Sequence, residues 1–423
     1  MKSLRYATSA RLFLAGAVLG AAFLAVSCNN ALGVFASIQQ EVPSSTTSTF
    51  RLASVMDFVA DNNNYYARLV TLYARPNNAA AGKDWNVVKI PGFGASKTDY
   101  WCTGMAFVNN TFYAALQRET NNTQKGIYYT NGDPTNGATW TQIIGTSSLS
   151  VQDLYAVGTD VYALVQVATG PTYSPTYYYY VYYVSTSGVT QTAITGTPAT
   201  TTTPISSIPT RGVDIGGTHY FAAGTTVYTI SSGPYTGIYG TISGEPGAPG
   251  AQITALATDD EQNLFEGTST GYVYRRTPTA TYTNSAATAS SNTGSTPYSG
   301  TYGVYTLAVV PASGGRMVLL VGQQNYYGYY ESDVTSGLTN SFHVGDSSSS
   351  GSSAIVTTQT QYDTSLQYLP VFAFSYFPNE SGGGTLFACA SATASYAGYA
   401  GLWSDTYSAT SSEPNGWSGW TSE

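Results

Sequence analysis

Charge is scarce in this chain: only 9% of its 423 residues are Asp, Glu, Lys or Arg. So few bases leave no patch able to neutralise a phosphate backbone, which excludes nucleic-acid binding. Histidine is nearly missing. His219 and His343 stand alone, and neither has companions at metal-ligand spacing. Neither a P-loop nor a dinucleotide-binding fingerprint occurs. Arg275 and Arg276 form the only adjacent arginine pair, and as neighbours on a strand they point to opposite sides rather than clamping one carboxylate. No catalytic residue is assigned on these grounds, and the chain reads as a non-enzyme. The apolar run Leu12–Val26 also falls short of the roughly 20 residues that a membrane span needs.

What is abundant points to β-structure. There are 37 Tyr and 44 Gly, and 42% of residues are hydrophobic, so the body has enough apolar surface to fold. The start, "MKSLRYATSARLFLAGAVLGAAFLAVSCNN", has basic residues, then an apolar stretch, then Ser27-Cys28, the layout of a secretory signal. With Cys28 directly after "LAVS", it resembles a bacterial lipoprotein signal, although Leu24 sits one place further from the cysteine than usual. Relaxed sequences of this kind resemble those of spirochaete lipoproteins. The resemblance implies cleavage after residue 27, acylation of Cys28 and a membrane attachment through that lipid, in the cell envelope and at the outer membrane. The formal charge of −8 becomes three units more negative once Lys2, Arg5 and Arg11 are removed. Residues 28–48 lack periodicity and read as a tether, leaving 49–423 as the folded domain.

That domain repeats itself. The stretch "ITALATDDEQNLFEGTSTGYVYRR" from Ile253 holds three short apolar runs and two turns, and the same grammar begins near residues 55, 102, 151, 211, 253, 304 and 369. The middle runs align as "TFYAAL", "DVYALV", "THYFAAG", "NLFEGT", "MVLLVG" and "TLFACA". A fourth run follows some units: "DWNVVKI" from Asp84, "TWTQII" from Thr139 and "GWSGW" from Gly416. Units of this length with several strands each predict an all-β fold, a seven-bladed β-propeller of four-stranded antiparallel blades. Two tandem sandwiches are the alternative. The "NGATWTQI" segment, Asn136 to Ile143, resembles a degenerate Asp-box of sialidase- and sortilin-type propellers, which implies a structural turn and no activity.

Two groups of residues invite a functional reading. Aligned first strands put Asp57, Asp153 and Asp214 in one column, where Gly104, Ala255 and Thr306 stand in other blades. Three carboxylates near the axis would hold a cation such as Ca²⁺; otherwise each accepts backbone N–H bonds. No other cofactor is implied. The run "TYSPTYYYYVYYVS" places Tyr177, Tyr179 and Tyr183 on one face of a strand and Tyr178, Tyr180 and Tyr182 on the other. Such a strand either packs between neighbouring blades or presents aromatics that grip a partner. Cys102 and Cys389 fall in blades separated by blade 1, which favours two buried thiols over a disulfide. The whole resembles, in its leader and repeats, a propeller lipoprotein of a spirochaete envelope. Abundant aromatics beside absent catalytic groups predict a binding scaffold for a protein or glycan. A glycan hydrolase or lyase, or a structural subunit of an envelope assembly, are the alternatives.

Overall fold

The computed structural model describes residues 57–79, 85–93, 100–118, 125–191, 194–195, 205, 207–231, 238–239, 241–242, 251–259, 262–276, 288–289, 302–323, 329–338, 342–344, 366, 369–379, 381–391, 400–411 and 414–423. The expected signal (1–27), the tether (28–48) and Cys28 lie outside them.

Each unit of the sequence folds into one four-stranded antiparallel sheet, with strands in chain order from the inside outward. Blade 1 is Asp57–Ala60, Asn64–Arg68, Leu72–Pro76 and Asn86–Val87. Blade 2 is Tyr100–Val108, Thr111–Arg118, Lys125–Thr130 and Thr141–Gln142. Blade 3 is Ser150–Val157, Asp160–Thr169, Thr176–Ser185 and Gly188–Gln191, and blade 4 is Val213–Ile215, Thr218–Ala223, Thr226–Ser231 and Thr241–Ile242. Blades 5 to 7 begin at Ile253–Thr258, Val304–Ala312 and Val371–Pro378. Blade 7 ends on Thr421–Ser422, so the fourth strand lies beyond "GWSGW"; Trp417 and Trp420 instead fill the core between blades 6 and 7. Each pair of neighbouring blades touches through the first strand of at least one of them, blade 7 with blade 1 included. The molecule is therefore a seven-bladed β-propeller.

Period-2 alternation explains the ring. Successive side chains of a strand face opposite sides of its blade, and both sides are apolar, so each blade needs a neighbour on each side. Among the described residues the buried apolar side chains fall into one cluster per interface. Tyr66, Leu72 and Phe93 of blade 1 meet Cys102, Phe112 and Leu116 of blade 2, for example. Comparable clusters join blades 2–3, 3–4, 4–5, 5–6 and 6–7. Each large side chain so enclosed contributes roughly 1.5–3 kcal/mol. Cys102 and Cys389 sit in different clusters and form no disulfide, and burial pushes the Cys102 thiol up to about 12.

The seventh interface, blade 7 against blade 1, adds a polar lock. Phe58, Tyr65 and Trp85 pack on Phe387, Cys389 and Leu402. Within this core Arg75 donates from Nη1 to both carboxylate oxygens of Glu423, at 2.6 and 2.7 Å, and Trp85 Nε1 donates to Oε2 at 2.8 Å. The guanidinium also lies 5.3–5.5 Å from the ring centres of Tyr65, Trp85 and Phe387. Such a cation–aromatic cage offsets part of the cost of removing the charge from water.

Removing one partner of a buried ion pair leaves the other uncompensated. Arg75→Ala is expected to lower the unfolding free energy by about 3–5 kcal/mol, read as a reduced urea midpoint at unchanged slope.

Candidate functional site

The first strands crowd around the axis, and most carry an extra residue there. Register shifts opposite Thr103, Gln152, Thr254, Tyr305 and Phe372 mark a bulge in blades 2, 3, 5, 6 and 7. The residue after each bulge is Gly104, Asp153, Ala255, Thr306 or Ala373, so in these blades the column seen in the sequence is one structural position, while Asp57 and Asp214 stand on first strands without a register shift. Blade 2 needs glycine at this point. A Cβ on Gly104 would lie 2.5 Å from the backbone nitrogen of Leu154 and 2.8 Å from Cα of Asp153. Close approach at the axis thus selects small residues, and the aspartates fit where the neighbouring blade leaves room.

Two arginines, absent from the sequence reading, answer these aspartates. Arg68 stands directly opposite Asp57 on the second strand of blade 1. Its Nε lies 3.9 Å from Asp57 Oδ2 and its Nη2 3.9 Å from Asp153 Oδ1. Arg211, just before the first strand of blade 4, reaches across the axis. Its Nη2 contacts Asp57 Oδ1 and donates to the Phe58 carbonyl at 3.2 Å, both in blade 1, while Nη1 donates to Ser375 Oγ of blade 7 at 3.3 Å. Backbone N–H groups complete the arrangement: Phe58 donates to Asp57 at 2.8 Å and Leu154 to Asp153 at 2.9 Å. Burial, and then the neighbouring Asp57 charge, raise the Asp153 carboxyl from 3.8 to about 7, against the pull of Arg68 and Arg211. The same burial holds the Tyr155 hydroxyl well above its ordinary value.

Asp214 makes a different pair. It faces His219 across the first two strands of blade 4, and the imidazole Nδ1 lies 2.7 Å from Asp214 Oδ1. The ring stacks on Tyr155 of blade 3, with centroids 4.6 Å apart. Its Nε2 is buried without a hydrogen-bond partner among the described residues. Gly212 makes space for it, since a Cβ there would lie 2.0 Å from Nε2. The three aspartates therefore meet Arg68, Arg211 and His219 rather than a common point. Among the described residues, no three His, Cys, Asp or Glu side chains converge as metal ligands would. These groups line an axial cavity of about 260 Å³, walled by Asp57, Asp153, Tyr155, Asp214 and His219 and reaching Phe107 and Phe377. Arg211 borders it and also a second axial cavity of about 420 Å³ along blades 4 to 7.

The tyrosine strand is divided by its packing. Tyr179 is buried between blades 3 and 4 with its hydroxyl receiving the Gln166 amide at 3.1 Å, and Tyr183 packs against the same core. Tyr182 turns toward blade 2. Tyr178 and Tyr180 are half-buried, and only Tyr177 is exposed, so this is no continuous open aromatic strip. Exposure is concentrated elsewhere. The middle hairpin of blade 3 runs past Ser150, the start of the first strand, and ends in Val167, Tyr173 (91% exposed) and Tyr177. First strands start, and second-to-third hairpins turn, at the same end of an antiparallel blade; this end is called upper here. Val70, Trp101, Ile208 and Tyr305 belong to it by the same topology. Among the described residues every exposed large apolar side chain but Ile144 is thus accounted for, and Ile144 lies in the connection from the fourth strand of blade 2 to the first strand of blade 3. Turns at the opposite end are polar or glycine-rich, such as Asn109-Asn110 (φ 51° and 59°) and the Asp61 and Asn379 turns capped by side-chain oxygens.

Other motifs have structural roles. Asp133 Oδ1 accepts from Thr135 N at 2.8 Å and Thr135 Oγ1 at 2.6 Å, closing the turn before the Asp-box-like segment. Asp333 and Thr335 repeat this turn in blade 6. Gly267-Thr268-Ser269-Thr270-Gly271 spells G-x-S-x-G, but it forms a β-hairpin turn between strands Leu264–Thr268 and Val273–Arg276, without the helix that a nucleophile elbow requires. Arg276 pairs with buried Glu266 at 2.6 Å, whereas Arg275 reaches Gly337 of blade 6, so the two do diverge.

No family model matches the chain, and no curated protein does. Among solved structures it is similar to YCF48 from Cyanidioschyzon merolae, at 12% identity and a TM-score of 0.48, over 83% of this chain and 95% of that one. It is also similar to the extracellular domain of the putative one-component system BT4673 from B. thetaiotaomicron (12% identity, TM-score 0.48, 84% of this chain and 39% of that one). A third is a prolyl endopeptidase (11% identity, TM-score 0.47, 86% and 49%). At these values the likenesses carry no argument about activity. Among the described residues no helix is long and apolar enough to cross a membrane.

The Asp153 carboxyl binds its proton more tightly in the folded than in the unfolded chain, so it favours folding below pH about 4 and that contribution is lost as pH rises through about 7. The melting temperature of the wild type is expected to fall more between pH 5 and pH 8 than that of Asp153→Asn, as followed by circular dichroism.

Proposed function

We propose that the chain is a lipid-anchored β-propeller of the bacterial cell envelope that serves as a binding scaffold for a protein or glycan partner. The observation that carries this reading is the asymmetry of the ring: exposed Trp101, Tyr173, Tyr177, Ile208 and Tyr305 share the upper end, while polar turns occupy the other. Aromatic side chains held on a rigid β-framework bury much area at small entropic cost, which suits them as anchors of a contact. Tyr177 is the member of the tyrosine run that serves this face; its neighbours hold the hairpin in place.

The anchor is supported by the leader, where the basic start, the apolar run and Ser27-Cys28 follow one another. Acyl chains on Cys28 would place the ring at a membrane surface, facing an exported partner, with attachment at the outer membrane. A second reading, a glycan-active hydrolase or lyase, draws on one observation only, the Asp153 carboxyl held near neutrality at the wall of the axial cavity.

The scaffold is tested with the full chain in detergent as bait in envelope extract. The wild type is expected to retain a discrete partner, and Tyr173→Ala with Tyr177→Ala to weaken retention by about tenfold or more at unchanged melting temperature. Retention of nothing by the wild type, together with cleavage of a glycan panel, overturns the scaffold. Separately, radiolabelled palmitate is expected to enter the wild-type chain in the native host and not Cys28→Ala, which should leave the membrane fraction.

A further inference from the structure

The axial cavity holds more polar chemistry than the fold needs. A channel wall made only to pack would carry the small residues seen at Gly104 and Ala255. Blades 1, 3 and 4 instead supply Asp57, Asp153 and Asp214, each already facing a cation or an imidazole. Their charges are therefore nearly balanced, and the balance is closer still because Asp153 titrates near neutrality. Hydrogen-bonding capacity nevertheless remains. The second oxygens of Asp153 and Asp214 are acceptors, and Arg211, with its side chain 43% exposed, retains N–H groups beyond those it gives to Asp57, Phe58 and Ser375. A buried imidazole nitrogen, His219 Nε2, lies in the same wall without a partner among the described residues.

Acceptors and donors side by side, with little net charge, select against ions of either sign. A phosphate or carboxylate would meet Asp153 and Asp214, and an ammonium would meet Arg211. An apolar guest would leave these groups unsatisfied at a cost of about 1–3 kcal/mol each. An uncharged polyhydroxyl compound satisfies both kinds of group, because each hydroxyl donates and accepts. Rings of Phe107 and Phe377 further along the cavity offer flat apolar walls to its C–H faces. The volume of about 260 Å³ lies just below the usual range of ligand pockets, about 300–1,000 Å³, and suits a single ring rather than a chain.

We propose that the axial cavity is a subsite for one uncharged sugar residue, held by Asp153, Asp214 and Arg211. This rests on the scaffold reading and deepens it, by naming the class of sugar that a glycan partner would present. The sugar would be a terminal residue of the recognised glycan, inserted along the axis.

Saturation-transfer NMR on the full chain in detergent, with glucose, galactose and N-acetylglucosamine as probes and glucuronate and glucosamine as charged arms, tests it. Transfer to at least one uncharged sugar is expected, exceeding that to either charged arm. Arg211→Ala and Asp153→Ala are expected to weaken it at least tenfold; the exposed Asp214→Asn provides a variant that should fold in any event and weaken it severalfold. Absence of transfer to all three neutral sugars, preference for a charged arm, or wild-type transfer in both Arg211→Ala and Asp214→Asn overturns the subsite. A partner retained from envelope extract without sugar binding sinks the subsite alone, whereas sugar binding without a retained partner supports it and counts against the wider scaffold.

Discussion

The structure depends on the inability of a single blade to hide both of its apolar faces. A four-stranded sheet alternates its side chains, so every blade here has two sides rich in Tyr, Phe, Leu and Val. Neighbours solve this for six interfaces in order along the chain. The seventh must join segments far apart in sequence: Arg75 and Glu423 are 348 positions apart. Closing so long a loop costs conformational entropy. It is at this interface that the ring combines an aromatic core with a buried, caged ion pair, whose hydrogen-bond geometry fixes how the last blade meets the first.

The same closure explains where the polar residues lie. Inner strands converge on the axis, where backbones approach so closely that Gly104 cannot be replaced by a larger residue without moving blade 3. The bulges relax the strands at that point and turn the following residue to the axis. Asp153 occupies such a position in blade 3, whereas Asp57 and Asp214 stand on first strands that pair without a register shift. The arginines that match them come from outside the column, one from a second strand and one from the connection before blade 4.

Much of the fold was legible because second strands are continuous apolar runs. "TFYAAL", "DVYALV" and "TLFACA" each became the second strand of a blade, and the aligned Gly104, Asp153, Ala255 and Thr306 each follow a bulge. The site was less legible. Arg68 opposite Asp57 and His219 opposite Asp214 are cross-strand partners, and finding them takes the register rather than the spacing. Arg211 spans the ring, a contact that no local pattern encodes. The tyrosine strand was ambiguous because alternation states that two faces exist, not which neighbours cover them. "GWSGW" misled for a related reason: tryptophans rich enough in area to make a strand can equally fill the gap between blades, as Trp417 and Trp420 do.

Arg211 gives the axis a direction. It stands ahead of the first strand of blade 4, whereas Phe107 and Phe377 lie near the far ends of theirs. Anything descending from the aromatic rim encounters a guanidinium tethered to two remote blades before it touches those rings. Passage inward therefore means bargaining with a positive charge whose counterion is Asp57, so the depth of the molecule is screened by chemistry and not by width alone.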